Sequence, residues 1–163
     1  MKIILPILFI VGLTSCSDSP LPKTGLEGTP LPSFNVLLMD STTKFNTSEL
    51  GNDKPVILFY FNPDCPYCRA QTETFIADIG FFKDIQLCIL TYALYPQAKR
   101  YYEHYKLEIY PNIIVGIDYT TFLGKHFKVQ EVPYIIVYDK NKKLKQILIG
   151  KVDTKVIKNV IEG

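Results

Sequence analysis

The sequence predicts a layered α/β domain with a central mixed sheet flanked by helices. Three observations carry this. The continuous apolar run Val56–Phe61 leads through Asn62-Pro63-Asp64 into Cys65-Pro66-Tyr67-Cys68, where a helical pattern begins. Strand-like runs and helical stretches then alternate as far as Ile117. The chain finishes as Val132-Pro133, strand, turn, strand and helix.

In chain order, the expected leader comes first. Lys2 is a minimal positive region and Ile3–Leu13 an apolar one, too short for a comfortable membrane span. Leu13-Thr14-Ser15-Cys16 resembles the bacterial lipobox. The expected organisation is a lipoprotein signal peptide over 1–15, a lipidated Cys16 with a Pro/Gly-rich tether over 16–30, and one folded domain over 31–163. Localisation follows as exported and lipid-anchored to a bacterial membrane, facing the periplasm.

Phe34–Met39 reads as a strand, Asp40–Thr43 as a turn and Lys44–Asn46 as a short return. Asn46 or Thr47 is placed to cap a helical turn through Leu50. Val56–Phe61 reads as a strand buried on both faces. The helix after Cys65 runs to about Ile79. Pro66 sits in its first turn, where a missing N–H costs nothing. Cys65, Cys68, Thr72, Phe75, Ile76 and Ile79 share one face, which turns Cys68 inward. Then follow strand Ile85–Leu90, helix Gln97–Tyr105, strand Ile113–Ile117 and a short helix within Thr120–Phe127. Strand Tyr134–Tyr138, a turn at Asp139–Lys142, strand Lys143–Ile149 and a helix from Thr154 to about Ile161 complete the order. The lysines of 140–145 read as a solvated turn.

Net charge is only +2, and no basic run stands out, so nucleic acid is not an expected partner. Of the four cysteines, Cys65 and Cys68 form a close pair where a strand gives way to a helix N-terminus, a place that favours a reactive thiolate. Cys88, within Ile85–Leu90, reads as a small buried hydrophobe. Zinc needs about four ligands. With a single Cys-x-x-Cys, and with His104 and His126 far off, neither a metal nor another cofactor is expected.

Those residues together resemble the thioredoxin superfamily, and within it the exported, membrane-anchored TlpA/ResA-like oxidoreductases. The resemblance covers roughly residues 28–163. It rests on the Cys65-Pro66-Tyr67-Cys68 turn, on Glu131-Val132-Pro133-Tyr134 before a strand pair, on the N-terminal strand pair, and on a βα insertion before Pro133. It implies a thioredoxin-like fold, Cys65 as nucleophile, Cys68 as resolving thiol and a cis Pro133 in the substrate loop. The binding residues assigned with it are Val132, Pro66, Tyr67 and Gln71. The implied partners are a protein thiol or disulfide substrate, a membrane thiol-transfer protein as electron donor, and the membrane through Cys16.

Two positions depart from the pattern. Phe59 stands where thioredoxins carry a buried Asp, and Gln71 where many TlpA/ResA relatives carry a Glu. Without that carboxylate, slower resolution is expected. Two alternatives stay open: a peroxiredoxin-type thiol peroxidase, although Asn62 replaces the usual Thr, and a non-catalytic tethered binding module of the same fold.

Overall fold

The computed structural model describes residues 21–163. The expected signal peptide and Cys16 lie outside the described residues. Seven strands form one sheet: β1 (Asn35–Leu38), β2 (Lys44–Asn46), β3 (Val56–Phe61), β4 (Gln86–Thr91), β5 (Ile113–Ile117), β6 (Tyr134–Tyr138) and β7 (Leu144–Ile149), in the order β2-β1-β5-β4-β3-β6-β7. β3, β4 and β5 are parallel, and β6 runs antiparallel to β3. The helices are α1 (Pro66–Ala77), α2 (Ile79–Phe82), α3 (Tyr95–His104), α4 (Phe122–His126) and α5 (Thr154–Glu162).

Every residue of β3 is buried, so alternate side chains feed two cores. Ile57, Phe59 and Phe61 pack with Phe75 of α1, Tyr101 of α3 and Ile157 of α5. Val56, Leu58 and Tyr60 pack on the other face with Leu123 of α4 and Phe127. Phe59 stacks on Phe61 and meets Phe75 edge-on, centroids 5.5 and 5.3 Å away.

Elements differ from expectation at particular residues. The helix after Cys65 breaks at Asp78, whose side chain accepts a hydrogen bond from Thr154 Oγ1, and α2 restarts at Ile79. Asn46 caps a 3-10 turn over Thr47–Glu49 in a reciprocal capping box. The expected tether is packed in its later part. Gly28 N donates to Leu144 O (2.7 Å), Leu144 N to Thr29 O (2.9 Å) and Leu31 N to Lys142 O (2.9 Å), while Leu26 and Leu31 pack on the second core. This strap satisfies backbone groups at the start of β7, an edge strand that would otherwise present them unpaired. Lys142 is not solvated either. It is buried, and its Nζ donates to Lys54 O at 2.8 Å.

Among the described residues, no helix is long and apolar enough to cross a membrane.

Candidate active site

The site forms where β3 ends and α1 begins. Asn62 shapes the turn: its Oδ1 accepts from Asp64 N (2.9 Å) and its carbonyl from Cys65 N (3.1 Å). Cys65 is the extended N-cap of α1, Pro66 follows in the first turn, and Arg69 N donates to Cys65 O (3.1 Å). The arginine head is held across this turn. Its Nε donates to Pro63 O (2.8 Å) and its guanidinium lies 3.7 Å from Asp64.

The two thiols differ sharply. Cys65 is partly exposed, whereas Cys68 is fully buried against Phe75 and Tyr101. Both are free thiols here. Burial pushes the Cys68 thiol up to about 12, and its side-chain hydrogen bond with Cys65 adds to the rise, while a backbone hydrogen bond from Asn62 opposes it.

The Val132–Pro133 peptide is cis, and Cys65 Sγ lies 3.7 Å from Val132 O. Pro133 is itself buried, and its carbonyl accepts from Gly150 N (2.9 Å), tying the loop to the end of β7. The fold thus brings Cys65, Cys68 and Val132-Pro133 together, with Pro66 exposed and Tyr67 67% exposed at the rim.

Gln71, the residue at the position of the relatives' Glu, lies inside the domain. It is fully buried, three residues after Cys68 on α1. Its Oε1 accepts from Val152 N at 2.8 Å, and its Nε2 has no partner among the described residues. Cys88 is buried on the opposite face of the sheet from Cys68, out of reach of the pair. Burial lifts that thiol to about 12 as well. Among the described residues, no three His, Cys, Asp or Glu side chains converge as a metal site needs.

Two features escaped sequence reasoning. Behind Cys68, the hydroxyls of Thr72 and Tyr101 are 2.6 Å apart, and Tyr101 OH donates to Cys68 O at 3.3 Å. Helical spacing placed Thr72 on the Cys68 face, but nothing local pointed to Tyr101. On the far side, the buried Asp118 carboxylate accepts from Phe122 N (2.9 Å) and Leu123 N (2.8 Å), satisfying the start of α4 below Tyr60. A carboxylate before a short helical stretch was the available signal.

The thioredoxin-like domain family matches the chain over residues 48–162. Among curated proteins, none matches it by sequence. Solved structures do. A protein described as a thiol:disulfide interchange protein DsbE from Chlorobium tepidum superimposes with TM-score 0.68 at 16% identity, covering 82% of this chain and 94% of that one. A secreted Mycobacterium tuberculosis disulfide oxidoreductase, homologous to E. coli DsbE, gives 0.62 at 16% identity, covering 78% and 93%. The same organism's DsbF, seen in mixed oxidised and reduced forms, gives 0.67 at 15%, covering 79% and 92%. At these identities the likeness shows the fold.

Proposed function

The chain belongs to the thioredoxin-like domain family, and on that premise we propose that it is a thiol–disulfide oxidoreductase that reduces disulfides in protein substrates. One observation carries the reading. A partly exposed Cys65 at a helix start faces the Val132 carbonyl, with a fully buried Cys68 one turn behind it.

Accessibility sets the order of events. The Cys65 thiolate attacks one sulfur of the substrate disulfide. A mixed disulfide forms, the substrate S–S bond breaks, and the departing substrate sulfur takes up a proton. Cys68, as thiolate, then attacks Cys65 Sγ. The Cys65–Cys68 disulfide forms and the second substrate sulfur leaves and is protonated. Two electrons and two protons pass to the substrate. A dithiol protein restores the pair by the reverse exchange. Val132 offers its backbone for brief strand pairing with an extended substrate segment.

Resolution is the demanding step, because Cys68 is held as a thiol up to about pH 12. Gln71, buried three residues further along α1 and accepting from Val152 N, offers an amide but no base. We therefore assign proton removal to water at the mouth of the turn, and expect slow resolution at neutral pH. The resemblance to the TlpA/ResA group supports the reductant direction, a membrane thiol-transfer protein as electron donor, export, and attachment through a lipid on Cys16.

The deciding experiment is the reduction potential of the Cys65–Cys68 pair in the full chain, equilibrated with thiol–disulfide buffers. A value near or below about −250 mV is expected of the reductant. A value near about −120 to −180 mV reverses the electron flow. Absence of a reversible disulfide removes the oxidoreductase reading in favour of a binding module.

A further inference from the structure

A cleft of about 420 Å3 opens directly beside the Cys65 turn. One wall is that turn, through Asp64 and Arg69; the other is α3, through Arg100, Tyr101 and His104. Val132 does not line it but borders a separate, smaller cavity with Tyr60 and Tyr92. A substrate held at Val132 therefore leaves this cleft free for other residues flanking its disulfide.

The charges of the cleft are unequally committed. Asp64 and Arg69 face each other at 3.7 Å, and Arg69 is further fixed by Pro63 O. Gln97 Nε2 also donates to Asp64 Oδ2, at 3.4 Å, across the mouth. Glu103, the other acid at the cleft, pairs with Lys99 at 3.6 Å. Arg100 and His104 make no ion pair among the described residues. They stand four residues apart, on one face of α3, and both are exposed. The cleft thus has an aromatic floor at Tyr101 and an uncommitted guanidinium with an imidazole beside it. A guanidinium of this kind matches a carboxylate through two parallel N–H donors.

The geometry points to a specificity subsite: this cleft receives an acidic side chain, Asp or Glu, that flanks the disulfide of the substrate protein. The inference rests on the oxidoreductase reading above, since the cleft gains its meaning from the substrate sulfur at Cys65. An exposed pair of this type is worth up to about five-fold in rate, and salt weakens it.

The test uses the pre-reduced full chain in single turnover against three disulfide peptides that differ only in Glu, Gln or Lys beside the disulfide. Uncharged hydroxyethyl disulfide serves as a reference. The Glu peptide is expected to react about five-fold faster than the Gln peptide, and the Lys peptide slowest. The difference should shrink between about 20 and about 500 mM salt. Arg100→Glu should invert the order, with Lys fastest. Reduction of hydroxyethyl disulfide with equal rates for the three peptides, or an order that survives Arg100→Glu, overturns the subsite alone. Failure to reduce any of the four disulfides overturns the oxidoreductase reading and the subsite with it.

Discussion

Cys65 Sγ stands 3.7 Å from the carbonyl oxygen of Val132, a residue 67 positions along the chain. On the proposed function, the partly exposed first thiol meets an incoming disulfide at this loop, while the second lies buried one turn further along α1.

This asymmetry predicts the outcome of trapping. Cys68→Ser should hold substrate on Cys65 as a lasting mixed disulfide, visible on a non-reducing gel and released by dithiothreitol. Cys65→Ser should capture nothing, because Cys68 is fully buried. Equal capture by both variants would contradict the assigned order of attack.

Gln71 predicts a gain of rate. In Gln71→Glu the carboxylate keeps the Val152 N donor and adds a buried base three residues after Cys68. Resolution of a preformed mixed disulfide at pH 7 should accelerate by about tenfold or more. In the wild type the same rate should climb about tenfold per pH unit well above neutrality, since the Cys68 thiol ionises only near 12. Stopped-flow measurement across pH reads both effects, and an unchanged rate and profile in Gln71→Glu would falsify the proposed base deficit.

The Thr72–Tyr101 pair predicts a stability cost with a coupling signature. Tyr101→Phe strands the Thr72 hydroxyl in a fully buried place, so a loss of about 1–3 kcal/mol is expected in urea unfolding. Thr72→Val with Tyr101→Phe should cost less than the sum of the single changes. Simple additivity would mean that the two hydroxyls are not energetically linked.

Cys88 predicts a pH-dependent loss of stability. Its folded thiol ionises near 12, above its ordinary value of 9.0. Between these values the unfolded chain has lost the proton and the folded chain retains it. The unfolded state binds fewer protons, so stability is intact below about 9 and falls as pH rises toward 12. Wild type should lose up to about 1.4 kcal/mol more per pH unit across this window than Cys88→Ala. The slope is diagnostic, because the methyl-sized cavity shifts only the offset; parallel slopes would show that the buried thiol does not govern alkaline stability.

Sequence and structure meet unevenly along the chain. The β3 run, the Cys65–Cys68 turn and the Val132–Pro133 approach to the β6–β7 pair were legible because each is local. Apolar continuity, Pro66 in a first helical turn and strand–turn–strand patterning are fixed within a few residues. The break at Asp78 was not legible, because Phe81 and Phe82 continue the apolar pattern of α1 and the Thr154 partner comes from α5. Nor was the docked strap at Gly28–Leu31, whose Pro and Gly residues read as a free tether. Its hydrogen-bond partners, Lys142 and Leu144, lie over 100 residues away.

The sequence by itself determined the order of elements, the mixed α/β class and the identity of the two thiols, because periodicity and turn chemistry act over short spans. Only the tertiary structure decided which groups surround those thiols. It set Val132 O against Cys65, Tyr101 beneath Cys68, Gln71 against Val152 and Arg100 across a cleft from Arg69. The physical reason is that burial and hydrogen bonding at the site depend on segments that meet only when the sheet and its helices close around β3.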